Sequence, residues 1–574
     1  MKKLFKYLKP YLGLTIIAPI FMLLEVAMDL LQPTLMSKII DVGVKNSDKP
    51  YIVRMCVLMC GCALLGIIGG AGNMYFSTKA GYGFARDLRS AVYRKIQSFS
   101  FANIDAFKTG SLVTRTTNDV TQIQNAFTSC IRMLVRSPFL CIGGVVMVLT
   151  LNARLSLVVL AAIPFLTAMI VVLLHYGRPL FMAMQEKLDR VNTVMQENLA
   201  GIRVIKAFAR ADYEKKKFKT VNDDLCESSM KAMRLLSLSF PLINLIMNAT
   251  MILMYLFGGK MVFSGELEPG EVMAFSNYIT QILMSLTMSS FTLMFLSRAG
   301  VSLQRVNEVL DTLPDVSDGT DKSAIVEDGG VEFDHVSFRY PGQSGEPVLK
   351  DINFTAKPGE TVAILGSTGS GKSTLISLIP RLYDATEGAV RVDGRDVKTY
   401  SLRSLRSAIG VALQESVLFT GTINENLHWG DNNATDAQIA EASEIAQASP
   451  FVSTLEDGYE TALGQRGVNL SGGQKQRLCI ARALVKHPKI LILDDSTSAV
   501  DLATEARIQE GLRKTFGGMT VFIIAQRISS VMDADKILVM DNGRIIDIGK
   551  HEELKKRCEV YREIVVSQLG EEAA

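Results

Sequence analysis

The chain has 574 residues, which is too long for one hydrophobic core and long enough for two or three domains. Hydrophobic residues make up 48% of it and charged residues 21%, so an apolar region and a water-soluble region share the chain. The net charge of +3 excludes the strongly basic character of a nucleic-acid-binding protein, and the scattered Cys exclude a disulfide framework and a zinc site of ordinary spacing.

The first 309 residues contain six apolar segments that are long enough to cross a bilayer as helices, which takes about 20 residues each. They lie near 14–40, 52–78, 126–150, 155–175, 236–258 and 270–296. Polar residues fall inside most of them: Glu25, Asp29, Arg132, Arg136, Asn248 and Gln281. Because polar side chains in membrane helices face one another or a cavity, 1–309 is predicted to be an α-helical polytopic domain in a lipid bilayer.

Loop charge predicts the orientation of this domain. The long segments 79–125 and 176–235 are rich in Lys and Arg, whereas the loops near 41–51, 151–154 and 259–269 carry few. Basic segments stay in the cytoplasm, so these two segments and both termini are predicted to be cytoplasmic, in a cell's inner or plasma membrane. The helical periodicity of VNTVMQENLAGIRVIKAF predicts that membrane helices extend into the cytoplasm.

Two charged pairs inside the predicted spans have two interpretations. Glu25 and Asp29 are four residues apart and share a helix face, as do Arg132 and Arg136. The carboxylates could attract cationic substrates or take part in proton-linked release, or they could form an interhelical clamp with one of the arginines. The sequence does not decide between these roles.

The composition changes near residue 310. The stretch 310–330, LDTLPDVSDGTDKSAIVEDGG, is predicted to be a polar linker. After it, short β-branched runs alternate with helical ones, which predicts an α/β domain over 331–574.

The segment TVAILGSTGSGKST predicts a strand, a glycine-rich loop and a helix, and it contains the pattern GxxxxGK[ST]. Backbone N–H groups of such a loop face phosphates, its Lys reaches the β- and γ-phosphates of ATP, and its Ser hydroxyl binds Mg²⁺. The predicted ATP-binding residues, called the P-loop below, are Gly366, Ser367, Thr368, Gly369, Ser370, Gly371, Lys372, Ser373 and Thr374.

The buried strand KILILDD ends in Asp494, a second candidate Mg²⁺ ligand, and NLSGGQKQRLCIARAL precedes it. The motif LSGGQ resembles the signature of ATP-binding cassette (ABC) proteins. Six membrane helices followed by one nucleotide-binding domain resemble a half-transporter of the ABC exporter type, with an α/β P-loop ATPase domain and a helical signature subdomain. The resemblance implies an ATP hydrolase that drives the transport of drugs, lipids or other amphipathic compounds.

The resemblance also implies roles for single residues. Tyr340 would stack on adenine, and Gln414 would approach Mg²⁺ and the attacking water. Ser471, Gly472, Gly473, Gln474 and Asp501 would contact ATP held by a second nucleotide-binding domain, so a partner half is implied. The segments FANIDAFKTG and AFARADYEKKKF would be the cytoplasmic helices that contact the nucleotide-binding domains, although the second could also be a solvated charged face.

Two positions depart from the family pattern, and both concern hydrolysis. Asp495 stands where a catalytic Glu is usual, and Gln526 stands where a switch His is usual. Asp is one methylene shorter, which withdraws its carboxylate by about 1.5 Å from a water that must lie near 3 Å. Gln forms hydrogen bonds but carries neither a titrating proton nor a positive charge. A site with both changes is predicted to bind ATP and hydrolyse it slowly.

These departures allow three interpretations. The chain resembles the degenerate half of a heterodimeric exporter, which would offer its signature to a competent site on a partner with Glu and His. Alternatively, both substitutions are tolerated in a slow homodimeric exporter or lipid flippase. A third possibility is a regulatory or sensor subunit in which bound nucleotide switches a partner.

Overall fold

The computed structural model describes residues 2–515 and 517–570, and the side chains of 2–4, 174 and 289–298 lie outside the description. The chain divides into two compact units. The first comprises Met1–Gln97 and Gly110–Asp311, and the second comprises Ser98–Thr109 and Thr312–Ala574. The short segment Ser98–Thr109, which the sequence placed within 1–309, therefore belongs with the C-terminal unit.

The N-terminal part of the chain is helical throughout. Its α-helices are α1 Lys2–Leu8, α2 Leu12–Lys38, α3 Lys49–Gln97, α4 Phe101–Phe107, α5 Thr109–Thr114, α6 Val120–Ser129, α7 Val135–Leu151, α8 Ala153–Ala200, α9 Ile202–Ala207, α10 Ala211–Phe263 and α11 Pro269–Asp311. Short π-helical segments, Ile39–Val44, Arg115–Asp119 and Cys130–Leu134, connect several of them.

Four helices are much longer than a bilayer is thick. The helices α3, α8, α10 and α11 have 49, 48, 53 and 43 residues. At 1.5 Å per residue each measures more than about 60 Å, twice the hydrocarbon thickness of about 30 Å. The extension of the apolar segments into long continuous helices agrees with the periodicity of the sequence.

Five segments within the described residues are long and apolar enough to span a membrane: Phe5–Val44, Lys49–Gln97, Thr109–Leu151, Ala153–Ala200 and Ala211–Phe263. The predicted sixth span, 270–296, falls in α11, and its last residues overlap the side chains outside the description. The count of six is therefore not confirmed. The predicted span 126–150 is not one regular helix, because the π-helical segment Cys130–Leu134 separates α6 from α7.

The second unit contains two larger sheets. The strands are β1 Val331–Phe338, β2 Leu349–Ala356, β3 Thr361–Gly366, β4 Glu387–Val392, β5 Arg395–Asp396, β6 Ile409–Ala412, β7 Gly421–Thr422, β8 Ala462–Leu463, β9 Ile490–Asp494, β10 Thr520–Ile524, β11 Lys536–Asp541 and β12 Arg544–Gly549. An antiparallel sheet has the order β2-β1-β4-β5, and a mostly parallel sheet has the order β12-β11-β3-β10-β9-β6. The strands β7 and β8 form a small pair.

The parallel sheet positions the candidate site. Its strands β9 and β10 are buried along their whole length, as expected for a sheet covered on both faces. The strand β10 pairs in parallel with β3 on one side and with β9 on the other, so the carboxyl ends of the three strands lie at one edge. Ligands of open α/β folds bind at this edge, and the P-loop follows β3 there.

Helices cover the sheets and build a further subdomain. They are α12 Lys372–Leu378, α13 Leu402–Ser407, α14 Ile423–His428, α15 Asp436–Ile445, α16 Ser449–Val452, α17 Gly472–Leu484, α18 Leu502–Thr515, α19 His551–Arg557 and α20 Glu559–Leu569. The helices α14 to α17 contribute Ile423, Leu427, Ile439, Phe451 and Leu478 to one hydrophobic cluster. The predicted fold class, a helical membrane domain followed by an α/β ATPase domain with a helical signature subdomain, is confirmed.

Candidate functional site

The P-loop follows β3 and leads into α12. Gly371 has φ of +97°, and a Cβ there would lie 2.8 Å from Leu349 Cδ2, so the turn requires glycine. Lys372 Nζ donates to the carbonyl oxygens of Gly366 and Ser367 at 2.8 Å each. Burial lowers the pKa of Lys372, while the nearby Asp494 and Asp495 oppose this shift. The lysine thus folds over the loop in which phosphates are predicted to bind.

The predicted Mg²⁺ ligands come together at the ends of β9 and of the P-loop. Ser373 Oγ donates to Asp494 Oδ1 at 3.1 Å, and Gln414 lines the same cleft. Burial raises the pKa of Asp494, and the neighbouring Asp495 adds to the rise. Hydroxyl, carboxylate and amide oxygens suit Mg²⁺, which also keeps several waters and phosphate oxygens. These three residues fit the ion, which would neutralise phosphate charge when bound with ATP.

The two departures from the family pattern contact each other. Asp495 follows β9 and Gln526 follows β10, and these strands are neighbours in the sheet. Gln526 Nε2 donates to Asp495 Oδ2 at 2.8 Å. Burial raises the pKa of Asp495, although the hydrogen bond from Gln526 and the charge of Lys372 lower it. One oxygen of the carboxylate at the catalytic position therefore already accepts from a neutral amide.

A cleft of about 750 Å³ joins most of the predicted ATP-binding residues. Its lining includes Gly366, Ser367, Thr368, Gly369, Gly371, Lys372, Ser373, Thr374, Gln414, Asp494, Asp495 and Gln526. Ser370 is 2% exposed and does not belong to this lining. The size of the cleft and its polar groups suit a nucleotide.

Tyr340 also lies outside the described lining of the cleft. Its hydroxyl is 2.9 Å from Thr374 Oγ1, and its ring packs edge-on against Phe338 and Tyr383, with centroids 4.9 and 5.2 Å away. The tyrosine is thus adjacent to the P-loop through Thr374. Its stacking on adenine stays a prediction.

The signature begins α17 and lies apart from this cleft. Ser471 Oγ accepts from the Gln474 backbone N–H at 3.3 Å, and Gln474 Oε1 accepts from the Ser471 N–H at 2.8 Å, which is a capping box. A Cβ on Gly473 would lie 2.7 Å from the Ala499 carbonyl oxygen. This glycine is therefore required by the close approach of the D-loop, residues 498–501.

The D-loop is held by side chains that sequence reasoning missed. Gln476, which is 6% exposed, donates to Ser498 Oγ at 3.0 Å and accepts from the Ala499 N–H at 2.8 Å. Arg527 donates to the carbonyl oxygens of Val500 and Ser498 at 3.2 and 3.1 Å. A single Gln within a helix and a single Arg after a strand carry no sequence signal for such contacts.

Asp501 ends the D-loop and begins the next helix. Its Oδ1 accepts from the Thr504 backbone N–H at 2.9 Å, and this bond holds the pKa of Asp501 below its usual range. The carboxylate is exposed. Its contact with a partner stays a prediction.

The short helix α4, within FANIDAFKTG, packs on the nucleotide-binding domain. Tyr383 OH donates to Asp105 Oδ2 at 2.7 Å, and the Phe101 ring lies 6.1 Å from the Tyr383 ring. Burial raises the pKa of Tyr383, and the hydrogen bond to Asp105 raises it further, so the hydroxyl remains a donor. Sequence reasoning anticipated α4 by analogy but not the tyrosine that binds it.

Three charged residues of the membrane unit, Glu25 and Asp29 of α2 and Arg136 of α7, form a cluster. Arg136 Nη1 donates to Glu25 Oε1, and Arg136 Nη2 donates to Asp29 Oδ2 at 3.0 Å. The Gln281 side chain of α11 reaches the Asp29 carbonyl oxygen at 3.4 Å. The clamp that the sequence offered as one alternative is present, with Arg136 as the partner. A role in attracting cationic substrates stays a prediction.

The fold and the cleft together define a class of protein: a multi-helix membrane protein with a P-loop nucleotide-binding domain. Comparisons with known proteins agree. Residues 15–286 match the family model described as "ABC transporter transmembrane region", and residues 349–498 match the model described as "ABC transporter".

Known relatives match over the whole length. The chain is 42% identical over 575 residues to the uncharacterized ABC transporter ATP-binding protein YfiB of Bacillus subtilis, covering 100% of both. It is 33% identical to the putative multidrug export ATP-binding/permease protein YgaD of the same species, covering 99% of both. A solved bacterial Atm1-family ABC exporter with ATP bound is 26% identical, with a TM-score of 0.82 over 97% of this chain and 98% of that one. The chain belongs to the ABC transporter family as an exporter half-transporter.

Proposed function

We propose that this chain is one subunit of a heterodimeric ATP-driven exporter that keeps a slow ATP site and offers its signature to a competent site on the partner. The protein lies in the plasma membrane, and its nucleotide-binding domain and both termini face the cytoplasm. The observation that carries the proposal is the 2.8 Å hydrogen bond from Gln526 Nε2 to Asp495 Oδ2.

This hydrogen bond supports a slow site for a physical reason. A general base must accept a proton from the attacking water within hydrogen-bond reach, and such a base contributes roughly 10²- to 10⁴-fold to the rate. Asp495 is too short by one methylene, and one of its oxygens already accepts from Gln526. Gln526 cannot supply a charge to the γ-phosphate in place of His. ATP binding survives because the P-loop residues and the Mg²⁺ ligands are intact.

The intact signature supports a partner that hydrolyses ATP. Two copies of this chain would lose the base at both sites, at a cost of about 3 to 5 kcal/mol in each barrier. A partner with Glu and His would keep one competent site, completed by Ser471, Gly473 and Gln474 of this chain. The same reasoning expects an altered signature in the partner.

The substrate class rests on the relatives and on the membrane unit. YgaD is named a putative multidrug export protein, and we extend drug export to this chain, with lipids and other amphipathic compounds as further candidate substrates. Exposed Met, Phe and Leu side chains of α10 and α11, such as Leu245, Phe257 and Met288, offer adaptable apolar contacts.

A slow homodimeric exporter or lipid flippase is the second candidate. It is favoured by the backbone at Asp495, whose φ of +46° is a conformation that Asp adopts more easily than most residues. On this interpretation Asp495 is present because it suits the backbone turn, and both sites of a homodimer hydrolyse ATP more slowly than sites with Glu would. The sensor alternative has no comparable support.

Co-purification from native membranes tests the proposal. We expect a second half-transporter with Glu and His at the two positions. In that pair, Asp495→Asn should change ATPase activity less than about twofold, whereas Glu→Gln at the partner's matching position should lower it by 10²-fold or more. Recovery of this chain with itself alone, or equal losses from the two substitutions, would overturn the heterodimer.

A further inference from the structure

The helix α20 lines the nucleotide cleft and contacts the segment 526–528, which follows β10. Val560, Glu563, Ile564 and Gln568 of α20 belong to the lining of the cleft. Gln568 uses both ends of its amide: Nε2 donates to the Gln526 carbonyl oxygen at 2.7 Å, and Oε1 accepts from the Ile528 N–H at 2.8 Å.

This two-point contact acts on Gln526, the residue at the position where the resemblance implies a contact with the γ-phosphate. The backbone of Gln526 is fixed by Gln568, and its side chain in turn donates to Asp495 Oδ2 at 2.8 Å. The Gln568 amide bridges the Gln526 carbonyl oxygen and the Ile528 N–H. Two hydrogen bonds to one short segment fix both its position and its orientation. An Asn would be one methylene too short to bridge both groups.

We infer that Gln568 is a positioning residue of the ATP site, which acts through Gln526 and couples the C-terminal helix to the detection of the γ-phosphate. The inference rests on the proposed role of Gln526 as the switch residue, but it does not depend on whether hydrolysis at this site is slow. Loss of the contact should weaken binding of a nucleotide triphosphate and leave ADP binding unchanged, because the P-loop holds the α- and β-phosphates.

The chain offers a matched control. Gln509 of α18 donates from Nε2 to the Ser530 carbonyl oxygen at 3.0 Å, which lies in the same loop but two residues beyond Ile528. Gln509→Ala removes a glutamine side chain and a hydrogen bond from this loop without touching Gln526. A general loosening of the loop would affect both variants equally.

The experiment measures the affinities of a non-hydrolysable ATP analogue and of ADP for the full chain in its native assembly. We expect Gln568→Ala to lower the ratio of analogue affinity to ADP affinity by about three- to tenfold, the effect of losing about one neutral hydrogen bond. Gln568→Glu, which keeps the size and the acceptor but not the donor, should lower the ratio as well. Gln509→Ala should change it less than twofold.

A double-mutant cycle separates positioning from a structural role. If Gln568 acts through Gln526, Gln568→Ala should have no further effect on the ratio in a Gln526→Ala background. An undiminished effect there, or equal effects of Gln568→Ala and Gln509→Ala, would overturn the inference. Rapid hydrolysis at this site would instead overturn the proposed function and leave these affinity ratios as they are.

Discussion

At the scale of single residues, the backbone conformation of Asp495 and the short reach of its side chain both favour Asp over Glu at this position. Its φ of +46° lies in the left-handed region, where Asp is more common than longer side chains, and its short carboxylate accepts from Gln526. A Glu at the same backbone position would carry its carboxylate one methylene farther from the backbone. Asp therefore suits the turn and has the shorter reach.

Gly473 shows that the signature is constrained by contacts within its own chain. Gly473→Ala would place Cβ 2.7 Å from the Ala499 carbonyl oxygen, closer than a carbon and an oxygen approach. We expect a loss of about 1 to 3 kcal/mol in the free energy of unfolding, since either α17 or the D-loop must shift. Thermal unfolding of the purified full-length protein measures it.

The neighbouring glycine is the control for this substitution. A Cβ on Gly472 would lie 3.5 Å from the Ala499 Cβ, which is ordinary contact. Gly472→Ala should therefore change the unfolding temperature by less than about a degree or raise it, because Ala suits the first turn of a helix better. Equal destabilisation by both substitutions would contradict the steric argument.

At the scale of elements, the helix α4 forms a side-chain hydrogen bond to the nucleotide-binding domain. Tyr383→Phe removes the 2.7 Å bond to Asp105 and keeps the ring that packs on Phe101. We expect about 1 kcal/mol less binding of α4. If α4 couples the membrane helices to the nucleotide-binding domain, as the resemblance implies, substrate-stimulated ATPase should fall about two- to fivefold. ATPase assays with and without substrate measure this loss.

The acceptor provides the comparison for Tyr383. Asp105→Asn keeps an oxygen that can accept from Tyr383 and removes only the charge. It should retain most of the stimulation that Tyr383→Phe loses. A Tyr383→Phe variant with unaltered stimulation would show that this hydrogen bond does not contribute to transmission through α4.

The ion cluster between α2 and α7 is a second contact between elements. Arg136→Met leaves Glu25 and Asp29 without their shared partner, and we expect a loss of about 1 to 3 kcal/mol in stability. This range lies below that of a fully buried pair because the Arg136 side chain is 38% exposed. The unfolding temperature in detergent or nanodiscs reports the loss.

Neutral replacement of the whole cluster decides between the clamp and a substrate site. Glu25→Gln, Asp29→Asn and Arg136→Met together should recover at least half of the lost stability, since no unpaired charge remains. Transport of cationic compounds should persist in this triple variant if the cluster is only a clamp. Selective loss of cationic substrates with neutral ones retained would assign the carboxylates to substrate binding.

At the scale of the whole molecule, the features that could be predicted from the sequence are those that local residue patterns determine. Apolar length and periodicity predicted the long helices, and the P-loop and the strand before Asp494 meet because parallel strands end at one edge of the sheet. Contacts between ordinary residues far apart in sequence left no pattern to read, as Gln568 with Gln526 and Tyr383 with Asp105 show. The π-helical interruption at Cys130–Leu134 was missed because its apolar residues continue the helical pattern.

The proposed division of labour between two ATP sites leads to a prediction about the assembled transporter. After many turnovers with labelled ATP and Mg²⁺, rapid removal of free nucleotide should leave about one nucleotide per pair on this chain, still as ATP, because the base at its site is withdrawn. Lys372→Ala should abolish this retained ATP, since it removes the P-loop cation, whereas Asp495→Asn should keep it. Chromatography of the retained nucleotide distinguishes ATP from ADP. Retention of ADP on this chain would mean that Asp495 and Gln526 support hydrolysis at the rate of the other site.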